Sequence, residues 1–444
     1  MNLLRNALLA GVAVAATASA TSAFAADKLV VVTSFPKTLT TPFEQKFEEM
    51  YPDVDVEIVN KSTSSSVKYI QETASSNTSD IFWASAPDAF EVLKSDGLLM
   101  KSGVSNDSIP PNVAGYPMND PDGFYNGFAA AGYGIMYNER YLAGNDLEPA
   151  QQWIDLAEPE YFGHVGMSAP SRSGTTHLTV EALIQGEGWD EGWSQWKFIA
   201  GNFATVTERS FGVPDGVNSG QFGLGIVIDF FGLASKASGF PVDFVYPKTT
   251  AIVPANVGII NNAPNEQAAK DFIEFLLSVP GQELLYHPEI RRLPVNIEAY
   301  ANAPENFPNP FNGTIEASVN FDVEKSGARY NVVNSLFDVM ITYRMDDLRD
   351  AVRAVQMAEE KLGDADNAEA QALIDEARAL IAKMPIDEAT ALDPDFNAIF
   401  KTKRKTAEDV VEGRQAEVEQ EWDAQVTANY AKAKELADKA ASML

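Results

Sequence analysis

The chain has 444 residues, a formal net charge of −30 and no cysteine. The missing thiols exclude disulfides, thiolate catalysis and cysteine-ligated metals. The negative charge argues against nucleic acid or anionic lipid as a partner, so an anion would have to be bound by a local cluster of donors.

Arg5, the apolar stretch from Ala7 to about Ala20 and the small-x-small site Ala23-Phe24-Ala25 read as a secretory signal peptide over residues 1–25, cleaved after Ala25. The expected location is a bacterial periplasm, and no cysteine at the cleavage point offers lipid attachment. Leu29 to Ser34 is a short, β-branched run that predicts a buried strand. A helix is expected over Pro42 to Met50, a strand over Val54 to Val59, and a helix over Thr63 to Ser75. Ile81 to Trp83 predicts a third strand and Ala89 to Leu93 a helix. This alternation implies an α/β lobe with a largely parallel sheet. Phe128 to Tyr137 reads as an extended strand leaving that lobe. Alternation restarts with a strand at Val165 to Ser168, helices over Thr176 to Gln185 and Glu191 to Ala200, and a strand over Leu224 to Phe230. Ala251 to Ile260 reads as a return strand and Asn265 to Leu277 as an amphipathic helix. From about Phe337 onward the chain is mostly helical, acidic and Ala-rich.

Two hydroxyl-rich segments stand out, Lys61 to Lys68 (KSTSSSVK) and Ser168 to His177 (SAPSRSGTTH). Each reads as a loop opening a helix. Short hydroxyl side chains, free N–H groups and a positive helix end are what an oxyanion needs. Two such half-sites a hundred residues apart suggest a ligand held between two lobes. The first half-site offers Ser64, Ser65 and Ser66, although N-capping by Thr63 or Ser64 would use part of that chemistry. Ser34 and Ser85 follow strand ends, where open α/β sheets place ligands. The second offers Ser171, Arg172, Ser173, Gly174, Thr175, Thr176 and His177, with Gly174 allowing close backbone approach. Arg172 is suited to bidentate phosphate contact or a rim salt bridge, and His177 to a ligand contact or a helix-satisfied role. Arg209 is a further cation, and Asp229 either a contact for hydroxyls or amines or a helix cap.

With these residues in view, the chain resembles a periplasmic solute-binding protein of an ABC importer. The strand LVVVTSF, DIFWASAPDAFEVLKSDGLL, SAPSRSGTTHL, NSGQFGLGIVIDFFGL and AAKDFIEFLLSVPGQELL carry the resemblance, from about Leu29 to Pro294. It is similar to the ferric-binding-like branch that includes sugar-phosphate and phosphoglycerate binders. The resemblance implies an α/β, two-lobe periplasmic binding protein fold of type II with a C-terminal helical extension. It also implies hinge closure on the ligand. Lobe 1 would comprise residues 26–128 plus 259–336, lobe 2 residues 129–258, and residues 337–444 a helical extension packed on lobe 1. Ferric-binding members carry two adjacent tyrosines after the GLGI-type strand. Here Asp229-Phe230-Phe231 stands there, and the expected first-lobe acid falls near Ser85. Hard ferric iron needs anionic oxygen ligands.

The expected function is therefore capture of a small phosphorylated organic anion, phosphoglycerate or a sugar phosphate, for an ABC permease in the inner membrane. Ferric or other metal binding is the alternative within the same superfamily. Presentation of ligand to a membrane sensor kinase is another, motivated by the extra helices. A monomer without cofactor or resident metal is expected. Catalysis is not: Ser173, His177 and Asp229 have the letters of a triad but no G-x-S-x-G elbow. His164, His177 and His287 lack metal-ligand spacing, and Gly220, Gly223 and Gly225 form no dinucleotide fingerprint.

Overall fold

A computed structural model describes residues 27–305, 307–313, 315–402 and 409–444. The leader and its cleavage point lie outside the described residues. Among those described, no helix is long and apolar enough to cross a membrane.

The first lobe opens with β1 (Asp27–Thr33), α1 (Lys37–Met50), β2 (Val54–Asn60), α2 (Thr63–Thr73), β3 (Ile81–Ala84) and α3 (Pro87–Ser95). β1 lies between β2 and β3, parallel to both, as right-handed β-α-β connections require. α1 starts five residues before the expected Pro42, which it carries internally. The missing amide costs a hydrogen bond. Against that loss, the helix buries Leu39, Phe43 and Phe47 on an aromatic core around Trp83, Phe128 and Phe272.

The long strand β4 (Asn126–Asn138) makes the crossing. The second lobe follows as β5 (Val165–Ser168), α4 (Gly174–Glu187), α5 (Trp189–Gly201), β6 (Phe203–Thr207), α6 (Gly212–Ser219), β7 (Leu224–Ile228) and α7 (Asp229–Ala237). β8 (Ile252–Ile260) then returns to the first lobe, ahead of α8 (Glu266–Leu277). β8 pairs with β3 and with β4 over Asn126–Gly132, while β7 pairs with β4 over Tyr133–Tyr137. β4 therefore belongs to both half-sheets, and the ends of the first-lobe strands face those of the second across a cleft. Phe230 falls in α7 rather than in the expected strand, because the helix begins at Asp229.

The longer helices that follow include α9 (Val323–Ala328), α10 (Tyr330–Phe337), α11 (Met345–Leu362), α12 (Ala368–Ala382) and α13 (Gly413–Ser442). Their seat differs from the expected one on lobe 1, because α11 and α12 pack on α5, in the second lobe. α5 carries the buried Trp189, Trp193, Trp196 and Phe198, and Val352 of α11 fits against Gly201. α13 lies across α11 and α12 with Trp422, Val426 and Tyr430 buried, so the extension is part of the core. α9 touches α3, and α10 touches α4, bridging the two lobes.

Two buried charges secure this layer. Arg329 makes two hydrogen bonds to Glu181 of α4 (2.9 and 2.8 Å) and one to Glu388 (2.6 Å). Burial alone would push Glu181 up, but the charge and hydrogen bonds of Arg329 outweigh it and hold the carboxyl below its usual range. Lys197 of α5 is 1% exposed and donates to the carbonyls of Ala382 and Lys383 (2.7 and 3.0 Å), closing the C-terminus of α12. Burial pushes its amine down to about 7.

Arg329→Ala leaves Glu181 buried without its partner and is expected to cost about 3–5 kcal/mol in urea unfolding. A loss under about 1 kcal/mol, the size of an exposed pair, would contradict the burial of this pair. For Lys197, the unfolded chain holds a proton that the folded chain lacks between its folded value of about 7 and the ordinary 10.5. Its contribution to stability therefore rises with pH across that window. The midpoint of the wild type relative to Lys197→Met is expected to climb from pH 7 to pH 10, and a flat difference would contradict a buried amine.

Candidate functional site

The cleft floor is set by strand ends and the two helices that start there. α2 begins at Thr63, so its N-cap is Ser62, whose Oγ accepts from the Ser65 N–H (3.2 Å). This register points Ser62 and Thr63, rather than the next three serines, at the cleft. Ser64 turns to the Ser171 carbonyl (3.5 Å), Ser65 stays exposed against Ser62 (2.8 Å), and Ser66 is buried away from the cleft. Ser34 lines the cleft and accepts from Thr63 Oγ1 (3.2 Å). Ser85 lines it too.

Across the cleft, Ser173 caps α4, accepting from the Thr176 N–H (3.3 Å) and sharing a hydrogen bond with Thr175 Oγ1 (2.8 Å). Arg172, Ser173 and Thr175 line the cleft, and Arg209 and Ser210 close it from the loop after β6. Gly174 instead packs on the opposite lobe. A Cβ there would lie 2.7 Å from Ala86 Cβ and 3.1 Å from Thr63, so the first turn of α4 seats against α2 and α3 only with glycine. Thr176 is turned inward and does not line the cleft. Ser171 faces the other way, into a rear cavity with Asp338 and Glu419.

His177 is one helical turn too deep to reach ligand. It is fully buried, with Nδ1 2.8 Å from Asn334 Oδ1 and Nε2 3.2 Å from both Ser326 Oγ and Asp88 Oδ2. Its ring packs on Tyr330. Asp88 belongs to α3, so this pair joins the lobes behind the cleft, and burial pushes the Asp88 carboxyl up to about 6. Asp229 is also fully buried and absent from the lining. It accepts from the N–H groups of Gly132 (2.8 Å) and Phe230 (2.7 Å) and from the Tyr246 hydroxyl (2.9 Å). Burial raises it to about 6. It fastens the start of α7 to the crossing strand.

The dominant residue of the cleft is one that sequence reasoning missed, Arg292. It is 1% exposed, and Nη1 donates to Ser85 Oγ (3.1 Å). Its guanidinium lies 3.6 Å from the Phe230 ring centre and 4.5 Å from that of Phe35. Nε is buried and has no partner, and among the described residues no carboxylate stands within ion-pair distance. Burial pushes it down to about 9, with Asp229 acting in the opposite sense, so it is charged at neutral pH. The one sequence signal was a pair of arginines, Arg291-Arg292, entering the apolar run Leu293-Pro294-Val295 of a strongly acidic chain.

The compartment so formed encloses about 480 Å³, part of it open to solvent. Three guanidiniums (Arg172, Arg209 and Arg292) and a ring of hydroxyls line it, and among the described residues no carboxylate does. Such a site can neutralise and hydrogen-bond an oxyanion. Phe230 and Phe231 stand where the ferric-binding resemblance would place tyrosines.

The signature of a family described as bacterial extracellular solute-binding protein matches residues 76–312. A phosphoglycerate transport regulatory protein, PgtC of Salmonella typhimurium, is 30% identical over 384 residues, 85% of this chain and 90% of the relative. Among solved structures, the periplasmic binding protein AfuA of Actinobacillus pleuropneumoniae, with fructose-6-phosphate bound, superposes with a TM-score of 0.64 at 22% identity, covering 70% of this chain and 98% of that one. Apo ferric ion-binding protein A of Pasteurella haemolytica gives 0.57 at 17% identity, covering 70% and 97%. The likeness reaches both lobes of the type II fold, and the chain belongs to the bacterial extracellular solute-binding proteins of the ABC-transporter superfamily.

Proposed function

We propose that the protein captures a small phosphorylated organic anion in the periplasm and delivers it to an ABC permease of the inner membrane. The observation that carries this reading is the cleft lined by Arg172, Arg209 and Arg292 with no carboxylate among the described residues that line it. The names of two similar proteins, for phosphoglycerate and with fructose-6-phosphate bound, agree with it. Ferric iron is the poorer occupant, because it needs anionic oxygen donors and no Asp, Glu or Tyr lines this compartment. The moving units would be residues 26–128 with 259–336 against 129–258. Ser34, Ser62, Thr63 and Ser85 would hold the phosphate from one side, and Ser173 and Thr175 from the other. Arg292 would be the fixed cation. Arg172 and Arg209, both half-buried, would complete charge neutralisation as the lobes close.

Thermal unfolding of the mature chain against inorganic phosphate, phosphoglycerates, hexose phosphates, phosphonates and ferric citrate tests this. A ligand at about a hundred times its Kd adds about 2.7 kcal/mol, which moves the midpoint by about 3 °C for a chain of this size. A phosphate ester is expected to give the shift. Arg209→Ala, at a half-buried loop position, is expected to weaken it about tenfold, and Arg292→Met about a hundredfold or more, as charge-assisted hydrogen bonds are lost. A shift with ferric citrate alone, or phosphate-ester binding indifferent to both variants, would sink the assignment.

A further inference from the structure

The contact that joins the lobes behind the cleft is one proton short. Asp88 of α3 stands in the first lobe and His177 of α4 in the second, and both are fully buried. His177 Nδ1 lies 2.8 Å from Asn334 Oδ1, which can only accept, so Nδ1 carries a hydrogen. Nε2 then faces Ser326 Oγ and Asp88 Oδ2, each at 3.2 Å, and those two oxygens are 3.3 Å apart. This triangle holds three acceptor atoms and one hydrogen, that of the serine hydroxyl. Given to Asp88, the hydrogen leaves the Nε2 lone pair against two oxygens. Given to Nε2, it leaves the carboxylate oxygen against two lone-pair atoms. One further proton, on Nε2 or on the carboxyl, completes the set. The second contact across this seam, Arg329 with Glu181, has no such deficit, since guanidinium hydrogens face both carboxylate oxygens.

No neighbouring group supplies the missing proton. Glu181 on α4 is committed to Arg329 on α10. Tyr116, Tyr133 and Tyr330 also feel the Asp88 charge, and burial holds each hydroxyl in its neutral form. On α3 itself Glu91 accepts from Tyr125. Of the other elements packed on α3, β8 carries no titratable side chain, α2 pairs Lys68 with Glu72 in solvent, and α9 exposes Glu324 and sets Lys325 3.6 Å from Glu388.

We propose that the Asp88–His177 contact is a proton-dependent clasp, across which the lobes close with uptake of a proton, so that mild acid favours the closed cleft. This rests on the two-lobe closure proposed above and adds its regulation. The direction follows from linkage. Burial pushes the Asp88 carboxyl up to about 6, with His177 acting against it, and parting the lobes returns it toward the ordinary 3.8. The closed state therefore holds the extra proton between those values, and its population relative to the open state rises about tenfold from pH 8 to pH 5.

The chain has no cysteine, so spin labels can be placed by substitution alone. Gln45→Cys on α1 and Ser238→Cys just after α7 are exposed positions. The two helices face each other across the cleft, where Leu39 and Ala234 line one space. Pulsed electron-resonance distances on the ligand-free mature chain are expected to show the ratio of shorter to longer population rising about tenfold from pH 8 to pH 5. Asp88→Asn, an isosteric change, is expected to hold the shorter distance at both pH values. His177→Gln, whose amide donates to a carboxylate at any pH, is expected to lose most of the response, and it guards against a folding defect in the first variant. Asp229 and Asp338, also raised to about 6, remain in both variants, so a response of theirs would survive. A wild-type ratio that is flat or falls on acidification, or a response that persists in both variants, would overturn the clasp. If the distance also stays fixed with the compound that shifts the thermal midpoint, two-lobe closure falls with it.

Discussion

A buried guanidinium without a carboxylate partner within ion-pair reach is an expensive arrangement, and much of the cleft is arranged around tolerating it. Arg292 loses most of its hydration on folding, and an unpaired charge in that position costs several kcal/mol. Three features offset the loss. Two aromatic faces, Phe35 and Phe230, lie against the cation. Ser85 accepts one hydrogen bond. Asp229 supplies negative charge from behind without making contact. The last feature explains why Asp229 is itself so thoroughly bonded. A carboxylate that accepts from two backbone amides and a tyrosine hydroxyl cannot swing forward to neutralise Arg292 and quench the site. Its anchors lie on β4, on α7 and at Tyr246, so the segments that join the lobes also fix the field at the cleft. The guanidinium keeps donors in reserve, and a ligand oxyanion is the natural complement.

α4 connects this cleft to the helical layer. Its first turn presents Ser173 and Thr175 to the cleft, and its next turn presents His177 and Glu181 to the interior. Those two residues bond Asn334, Ser326 and Arg329 of the α9–α10 region, and His177 also meets Asp88 of α3. The helix whose N-terminus faces the cleft is therefore held by groups from the opposite lobe. Buried networks of this kind add little net stability but fix one geometry. That is the property required of a helix end that lines a ligand cleft.

The strands and most helices were legible in the sequence because their signals are local. β-branched runs give strands at Asp27–Thr33 and Leu224–Ile228, and apolar spacing gives α8. The hydroxyl-rich loops were legible as cleft segments for the same reason. Which hydroxyl points where was not. Successive residues on a helix differ by about 100°, so a one-residue error in the cap, from Ser62 to Thr63, rotates Ser64, Ser65 and Ser66 out of the site. His177 and Asp229 sit at the ends of convincing segments, yet their side chains turn toward partners that sequence spacing does not reveal, at Asn334 and Gly132. Arg292 was invisible because it enters from a segment some two hundred residues after Ser85, with no periodicity of its own. The seat of the extension depends on α5, whose sequence carries no signal of which helices will cover it.

The overall charge and the site pull in opposite directions, and their length scales settle the contest. A chain of net charge −30 repels an anion at long range. At physiological ionic strength that repulsion is screened over about 8 Å, whereas contacts inside a low-dielectric cleft are screened far less. An anion in the cleft would therefore answer to groups within hydrogen-bond reach, where three arginines among hydroxyls outweigh a distant acidic surface.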